Sequence, residues 1–450
     1  MTTSLGQDSR PTLIGYLPPL GGIRKTAANY GYHSTLINSG DLVYTYASTM
    51  LTSARNFVPW DFQLSAEEVN EKYSRVIFFI PCRIAPPPYD DDGYTYESVT
   101  RFIEGLKIPF FSLAESIQSR RYDYEIDFHK SLSPKVVRYR KVIAERSPVV
   151  GTRGYYSAEV LSKLGIKNVT PLGCTSLYLN GPQLKASLLS VPPQPGKGRV
   201  ATCYSNYQGN PNSRIRDFLR LSDQADFHYV EQTFGLVSQA LYYPGKISVA
   251  SIHEAKAIYQ ELPPLLSLLQ KGLVHYFSNY TLWRDFLASM DFAFGARMHG
   301  LTPAIHAGVP ATFIAHDARV REMCEFLSLP FVAEHALPAE LSLDFFLQRC
   351  DYAAAFKRYP EAYRQFVDVL HGNGIGDNIA PDGELIDPWL PVPDAQVVKE
   401  EAATRLSPAE ISSLAQLIDI GEQIPADVPG KLARIQLIAQ GLYQERQKRA

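Results

Sequence analysis

The 450-residue chain is poor in several features that would settle its class at once. Its five cysteines (Cys82, Cys174, Cys203, Cys324 and Cys350) are odd in number and widely spaced, with no C-x-x-C pair. Neither a disulfide framework nor a cysteine zinc site is therefore expected, and the thiols read as reduced. Net charge is missing too: 44 Lys and Arg stand against 46 Asp and Glu, a formal balance of -2. That balance removes any global attraction to nucleic acid or an anionic membrane, so anion binding has to come from local arrangement. Long apolar runs are absent. Val76–Pro81 and Leu273–Phe277 are strand-sized, far below the ~20 residues that span a bilayer. The opening MTTSLGQDSRPT lacks the basic-then-apolar order of a signal peptide. The expectation is a cytoplasmic protein with no transmembrane segment and no nucleic-acid partner.

What the chain does have is alternation. From residue 12 to about 350, short apolar runs alternate with amphipathic segments, the pattern of a parallel α/β protein. Strands are expected at Thr12–Leu17, Arg75–Pro81, Pro109–Leu113 and Pro148–Thr152. Helices are expected at Asp41–Leu51, Val99–Gly105, Phe128–Glu145 and Ser157–Leu164. The stretch SVPPQPGKG has no apolar period and reads as a linker. The pattern then restarts, with strands at Arg199–Tyr204, Phe227–Tyr229, Leu273–Phe277, Asp291–Gly295 and Thr312–Ala315 and a helix at Ser213–Leu221. Two tandem units predict two Rossmann-like domains with a cleft between them, residues 1–190 and 199–375, joined by 191–198.

Residues 376–450 differ in character: a proline-rich, turn-rich segment and then a helical hairpin tail. SPAE from Ser407 is a helix start, and Ile411, Leu414, Leu417 and Ile418 follow on one face. A second stripe runs through Leu432, Ile435, Ile438 and Leu442. Such stripes need a partner surface, either the body of the protein or a second subunit, so a homo-oligomer held through the tail stays open.

Most of the chemistry is concentrated in FGARMHGLTPAIHAGVP, Phe294 to Pro310. A strand ends there and a helix opens, so Arg297, His299 and Gly300 fall at its first turn. Free N–H groups and the helix dipole favour an anion at that turn. Arginine adds a planar fork suited to phosphate or carboxylate, and histidine a proton near neutral pH. The same spacing also fits a surface ion pair for Arg297 and a satisfied core imidazole for His299. The following loop HDARV brings Asp317 and Arg319 to the same sheet edge. In the first domain, Asn38 and Asp41 open a helix; Asp41 reads either as its cap or as a carboxylate able to accept a hydroxyl proton. Arg153 reads as an anion ligand or a surface ion pair. The acidic stretch PYDDDGYTY lacks EF-hand spacing, and His306 and His316 lack metal-ligand spacing, so no metal site is expected. The loop NYQGNPNSR reads as a plain turn.

Together these motifs resemble the polysaccharide pyruvyl transferases, from about residue 31 to 333. The carriers are INSGD, VVGTRGYYSAEVLSKLGI, GCTS, the Arg297–Gly300 helix start with its Ala-Gly-Val-Pro turn, and HDARV. Gly154 stands where an acidic residue is usual, Thr175 where proline is, and His316 and Arg319 where tyrosine and lysine are common. The resemblance implies a GT-B-like pair of domains, the first facing the acceptor and the second the donor. It implies a transferase of polysaccharide biosynthesis with phosphoenolpyruvate as co-substrate, no cofactor, and a sugar or lipid-linked oligosaccharide acceptor. That reaction needs cationic groups, an acid and a base, which assigns His299 as acid, Asp41 as base, and Arg297, Arg319, Arg153, Asn38, Gly300 and Asp317 as binding residues. Such an enzyme would act in the cytoplasm, with the inner face of the membrane open to it. A glycosyltransferase using a nucleotide sugar is the alternative.

Overall fold

The computed structural model describes residues 9–15, 38–52, 57–60, 64–79, 84–87, 96–119, 121–189, 198–204, 214–233, 235–242, 247–259, 262–388, 390, 392, 395 and 406–422. The linker 191–197, most of Pro88–Tyr96, most of Asn206–Arg214 and the second tail stripe from Gly430 lie outside the described residues.

Two six-stranded sheets organise the chain, and every strand pair in them is parallel. The first holds β1 (Thr12–Gly15), β2 (Phe57–Trp60), β3 (Arg75–Phe78), β4 (Phe110–Glu115), β5 (Val150–Thr152) and β6 (Val169–Pro171), in the order 2-1-3-4-5-6. The second holds β7 (Arg199–Thr202), β8 (Asp226–Glu231), β9 (Val274–Tyr276), β10 (Phe292–Gly295), β11 (Ala311–Ala315) and β12 (Phe331–Ala333), in the order 12-11-10-7-8-9. Both are doubly wound. The strand order reverses between β1 and β3 in one sheet and between β7 and β10 in the other, the places where such folds bind ligands. Helices cover both faces, so central strands such as FAFG and ATFIA are apolar and buried throughout.

Six helices matter below: α1 (Asp41–Thr52), α2 (Tyr155–Lys163), α3 (Met298–Ala307), α4 (Ala318–Leu327), α5 (Ala353–Gly372) and α6 (Pro408–Glu422). Where one helix was expected over Phe128–Glu145, the chain makes a 3-10 turn at Phe128–Ser131 and then a helix at Pro134–Arg146. The break comes at Ser133, held extended ahead of Pro134 by clash with the proline ring. Three strands were not expected: β2, β6 and β12. All three are sheet margins, and two carry a proline (Pro59, Pro171) that only an edge strand accommodates.

The last segments cross between the domains. Helix α5 packs on both: the Tyr359 hydroxyl donates to the Leu177 and Gly181 carbonyls and Phe366 stacks on Tyr178 at 4.8 Å, while Arg358 Nε donates to the Phe326 carbonyl of α4 (3.1 Å). Asn378 then donates to the Met50 carbonyl (2.8 Å), and Asp377 pairs with Arg75 (3.3 Å). Helix α6 returns to the second domain. A capping box opens it, with Ser407 N–H on the Glu410 carboxylate (2.7 Å) and Glu410 N–H on the Ser407 hydroxyl (3.3 Å). Leu406, Leu414, Leu417 and Ile418 are buried in that domain's core. The partner of this stripe is thus the protein's own body. No helix among the described residues is long and apolar enough to cross a membrane.

Leu417→Ala should therefore cost about 2–5 kcal/mol, as for other buried leucines, measured by urea denaturation. A near-neutral substitution would mean that α6 is not docked in solution.

Candidate active site

The site is built from the turn after β10. Gly295 must be glycine: its φ is +156°, and a Cβ there would lie 2.6 Å from the backbone carbonyl of Cys203. That close approach lets Cys203 N–H donate to the Phe294 carbonyl (3.0 Å) and Arg297 N–H donate to the Cys203 carbonyl (3.2 Å). The β7 and β10 ends are locked together at the second sheet's switch point. Arg297 is then the N-cap residue of α3, whose Gly300 and Leu301 N–H groups turn back to its carbonyl (2.9 and 3.2 Å). His299 sits in that first turn. Gly300 is glycine because the side chains of Gln232 and Cys203 occupy the space a Cβ would need.

The first domain meets this turn through Asn38–Asp41. Asn38 bridges Thr233 antiparallel, and Ser39 N–H donates to the Gln232 carbonyl (2.8 Å). The Asn38 side-chain oxygen accepts from Gly40 N–H (3.0 Å), so Asn38 shapes the turn as well as joining the domains. A Cβ on Gly40 would lie 3.1 Å from the His299 Cβ. Asp41, the next residue, opens α1, and its carbonyl accepts the Thr45 hydroxyl (2.6 Å).

Three guanidinium charges act on His299. Arg297 donates to the Thr233 hydroxyl (2.8 Å). Arg319 donates to the Gln118 side-chain oxygen (3.2 Å) and pairs with Asp317 (3.3 Å). Arg153 follows β5 and is only 1% exposed, yet its Nε and one Nη have no hydrogen-bond partner among the described residues. Its guanidinium carbon lies 5.1 Å from the Tyr44 ring centroid, and the Tyr44 ring 5.2 Å from that of His299. The imidazole Nε2 is 3.4 Å from the Cys174 sulfur. Loss of water around the ring, then the charges of Arg153, Arg319 and Arg297, hold its pKa well below the usual value. In the protein alone the imidazole is neutral at pH 7, not a ready imidazolium.

Asp317 has a structural task. It caps α4 by accepting from Val320 N–H (2.8 Å) and is flanked by His316 (3.4 Å) and Arg319. Burial would raise its pKa, but the His316 and Arg319 charges and these hydrogen bonds lower it far below the usual range. It therefore orients Arg319 and offsets part of its charge. His306 likewise ties the domains: its Nε2 donates to the Ser176 carbonyl (2.6 Å) and its Nδ1 accepts from the Tyr280 hydroxyl (2.8 Å).

Sequence reasoning missed Gln232 and Tyr44. Gln232 is buried beside Gly40 and Gly300, and its amide nitrogen has no partner among the described residues. Its signal was there to read, since EQT follows the apolar strand β8 at the carboxyl edge of the sheet. Tyr44 left none, being one aromatic on a wholly buried helix. No group of three or more His, Cys, Asp or Glu able to hold a metal occurs among the described residues.

A buried arginine with unpartnered nitrogens, two more arginines and a neutral imidazole at a helix start have the chemistry to hold a multiply charged anion. The sequence profile of the polysaccharide pyruvyl transferases matches residues 88–318, just over half of the chain. The chain belongs to the polysaccharide pyruvyl transferase family. The matched stretch holds Arg153, Gln232, Arg297, His299, Gly300 and Asp317, and leaves Asn38, Asp41 and Arg319 outside. None of the curated proteins matches the chain. Among solved structures it is similar to HepE from Anabaena in complex with UDP and glucose, at 10% identity over 81% of this chain and 100% of that one, with a TM-score of 0.41. It is also similar to UDP-N-acetylglucosamine 2-epimerase from Rickettsia bellii, at 12% identity over 81% and 96%, with a TM-score of 0.39.

His306 gives this pyruvyl transferase family member a pH signature. Burial, the leading cause, lowers its pKa to about 3, whereas the unfolded chain takes up that proton near ~6.5. Between those values the unfolded state binds more protons, so stability should fall as pH drops through the window. His275, His299 and His228 are depressed in the same direction, so His306→Gln should reduce that slope by about one proton's share in denaturation series run from pH 7 to 4. An unchanged slope would remove His306 as one source.

Proposed function

We propose that the chain moves the enolpyruvyl group of phosphoenolpyruvate onto two hydroxyls of one sugar, in a glycan or lipid-linked precursor, leaving a pyruvate ketal and free phosphate. The observation that carries this reading is Arg153, buried with unpartnered nitrogens and separated from His299 by the Tyr44 ring, with the charges of Arg297 and Arg319 also acting on that imidazole. Such a cluster suits a compact donor bearing both a phosphate and a carboxylate.

The chemistry then follows. One sugar hydroxyl adds to the enol carbon while a proton goes to the methylene, which becomes a methyl group. The carbon–oxygen bond to phosphate breaks, and the second hydroxyl closes the ketal, its proton leaving with phosphate. His299 is the group assigned to the methylene proton. In the protein alone it is neutral, so it gains its proton as the donor's negative charges offset the surrounding guanidiniums. Asp41, which follows Gly40 at its approach to His299 and belongs to the domain assigned to the acceptor, accepts the hydroxyl proton. The guanidiniums stabilise charge on the departing phosphate. No electron changes hands, so no redox cofactor is called for. A cytoplasmic location, at the inner membrane face when the acceptor is lipid-linked, belongs to the same proposal.

Two substitutions should fail differently. Arg297→Ala removes a charge-assisted contact of roughly 1.5–3 kcal/mol and should weaken donor binding by about ten- to hundredfold. His299→Ala should bind phosphoenolpyruvate nearly normally and lose roughly 10²–10⁴-fold in turnover. Phosphate release in the presence of a panel of sugars reads both. Normal turnover in both folded variants would refute the assignment, and thermal stabilisation by a nucleotide sugar with none by phosphoenolpyruvate would favour a glycosyltransferase.

A further inference from the structure

A carboxylate of the second domain lies inside the first. Gly154 ends the turn after β5 and is the N-cap residue of α2. A Cβ built there would come within 2.7 Å of a Glu322 carboxylate oxygen and 2.9 Å of its Cβ and Cγ. Glu322 stands on α4 and is 2% exposed. It accepts from the Ser157 backbone N–H (2.9 Å) and from the Ser157 hydroxyl (2.5 Å), 165 residues away in sequence. That hydroxyl in turn accepts from Ile117 N–H (3.1 Å). Ser157 is the third residue of α2, the position whose N–H an N-cap aspartate normally satisfies. Glu322 does this from another domain, through a notch that exists only because residue 154 has no side chain.

Burying a carboxylate is expensive unless it is paired or hydrogen-bonded. Burial lifts the Glu322 pKa to about 7, against the two Ser157 hydrogen bonds and the Arg153 charge, with Asp317 adding to the rise. A leucine would fill the same interface without that cost, so what the carboxylate adds is direction. Arg153 is the residue immediately before the notch, and its own N–H is fixed on the Glu115 carbonyl (2.9 Å).

We infer that Glu322 is the positioning residue for Arg153, capping α2 across the domain boundary so that the anion-binding arginine is aimed only when the two domains are in register. This rests on the reading of Arg153 as an anion ligand. The carboxylate's place matters, not the residue that carries it. Gly154 has φ -170° and ψ -177°, extended backbone open to any residue, so an aspartate there can cap α2 itself once Glu322 is shortened.

The experiment compares Glu322→Ala, Gly154→Asp and the double variant carrying both. Binding of phosphoenolpyruvate and of inorganic phosphate is measured by calorimetry, and protection of the Ser157 amide by hydrogen exchange. Glu322→Ala should lose ~10-fold or more in anion affinity and raise KM more than it lowers kcat, as for one misaimed charged contact. The double variant should recover most of both affinity and protection. Gly154→Asp alone, with two carboxylates in one notch, should be worse than the parent. If Glu322→Ala does not fold, Glu322→Gln, which keeps the shape and one acceptor, takes its place against the double variant. A double variant no better than Glu322→Ala, or parent-like affinity in Glu322→Ala, overturns the inference. Should the parent bind neither anion, the site reading fails by itself, while loss and recovery of Ser157 protection still decides the cap.

Discussion

The burial of Arg153 with two guanidinium nitrogens unpartnered among the described residues is the constraint around which this cleft is organised. A guanidinium taken out of water without a partner costs several kcal/mol, and Arg153 is nine-tenths and more buried. The surroundings absorb the cost in small portions. Tyr44 presents a ring to Arg153, Thr233 and Gln118 offer neutral oxygens to Arg297 and Arg319, and Asp317 holds Arg319 while capping its own helix. His299 makes its own concession by staying neutral. What remains is a buried guanidinium with two nitrogens that no described residue satisfies.

The topology explains why these groups meet. Arg297 and His299 follow β10, Gln232 and Thr233 follow β8, and Cys203 follows β7, all at the carboxyl edge of one parallel sheet. Arg153 and Cys174 leave β5 and β6 at the corresponding edge of the other. The Asn38–Thr233 bridge and the His306–Ser176 hydrogen bond then hold the two edges face to face. Neither sheet alone carries the site, because His299 feels arginines from both.

Much of this was legible because it is local. Central strands such as Asp291–Gly295 declare themselves by continuous apolar runs, and the Arg297–Gly300 turn by glycines beside polar residues. The SPAE cap of α6 needed only four consecutive residues. The margins β2, β6 and β12 were illegible for a physical reason: an edge strand buries less, tolerates proline, and loses the uniform pattern. Tyr44 acquires its role only through contacts far apart in the chain, and a single sequence carries no mark of such contacts. The glycine at 154 looked like a departure. In the structure it is half of a complementary pair whose other member is Glu322.

The double crossing at the chain's end has a consequence for how such an enzyme can be recombined. Because α5 packs on the first domain as well as on α4, the following turn on the first domain, and α6 on the second, neither domain is one continuous stretch. Cutting in the linker and joining the second half to a foreign partner would bring along an α5 whose Tyr359 and Phe366 expect Tyr178 and the Leu177 carbonyl. A working chimaera must exchange the first domain together with α5, two segments in one step. Inheritance by simple exchange of halves is thereby discouraged, and a change of specificity is more readily reached by point substitution within a domain than by replacing it.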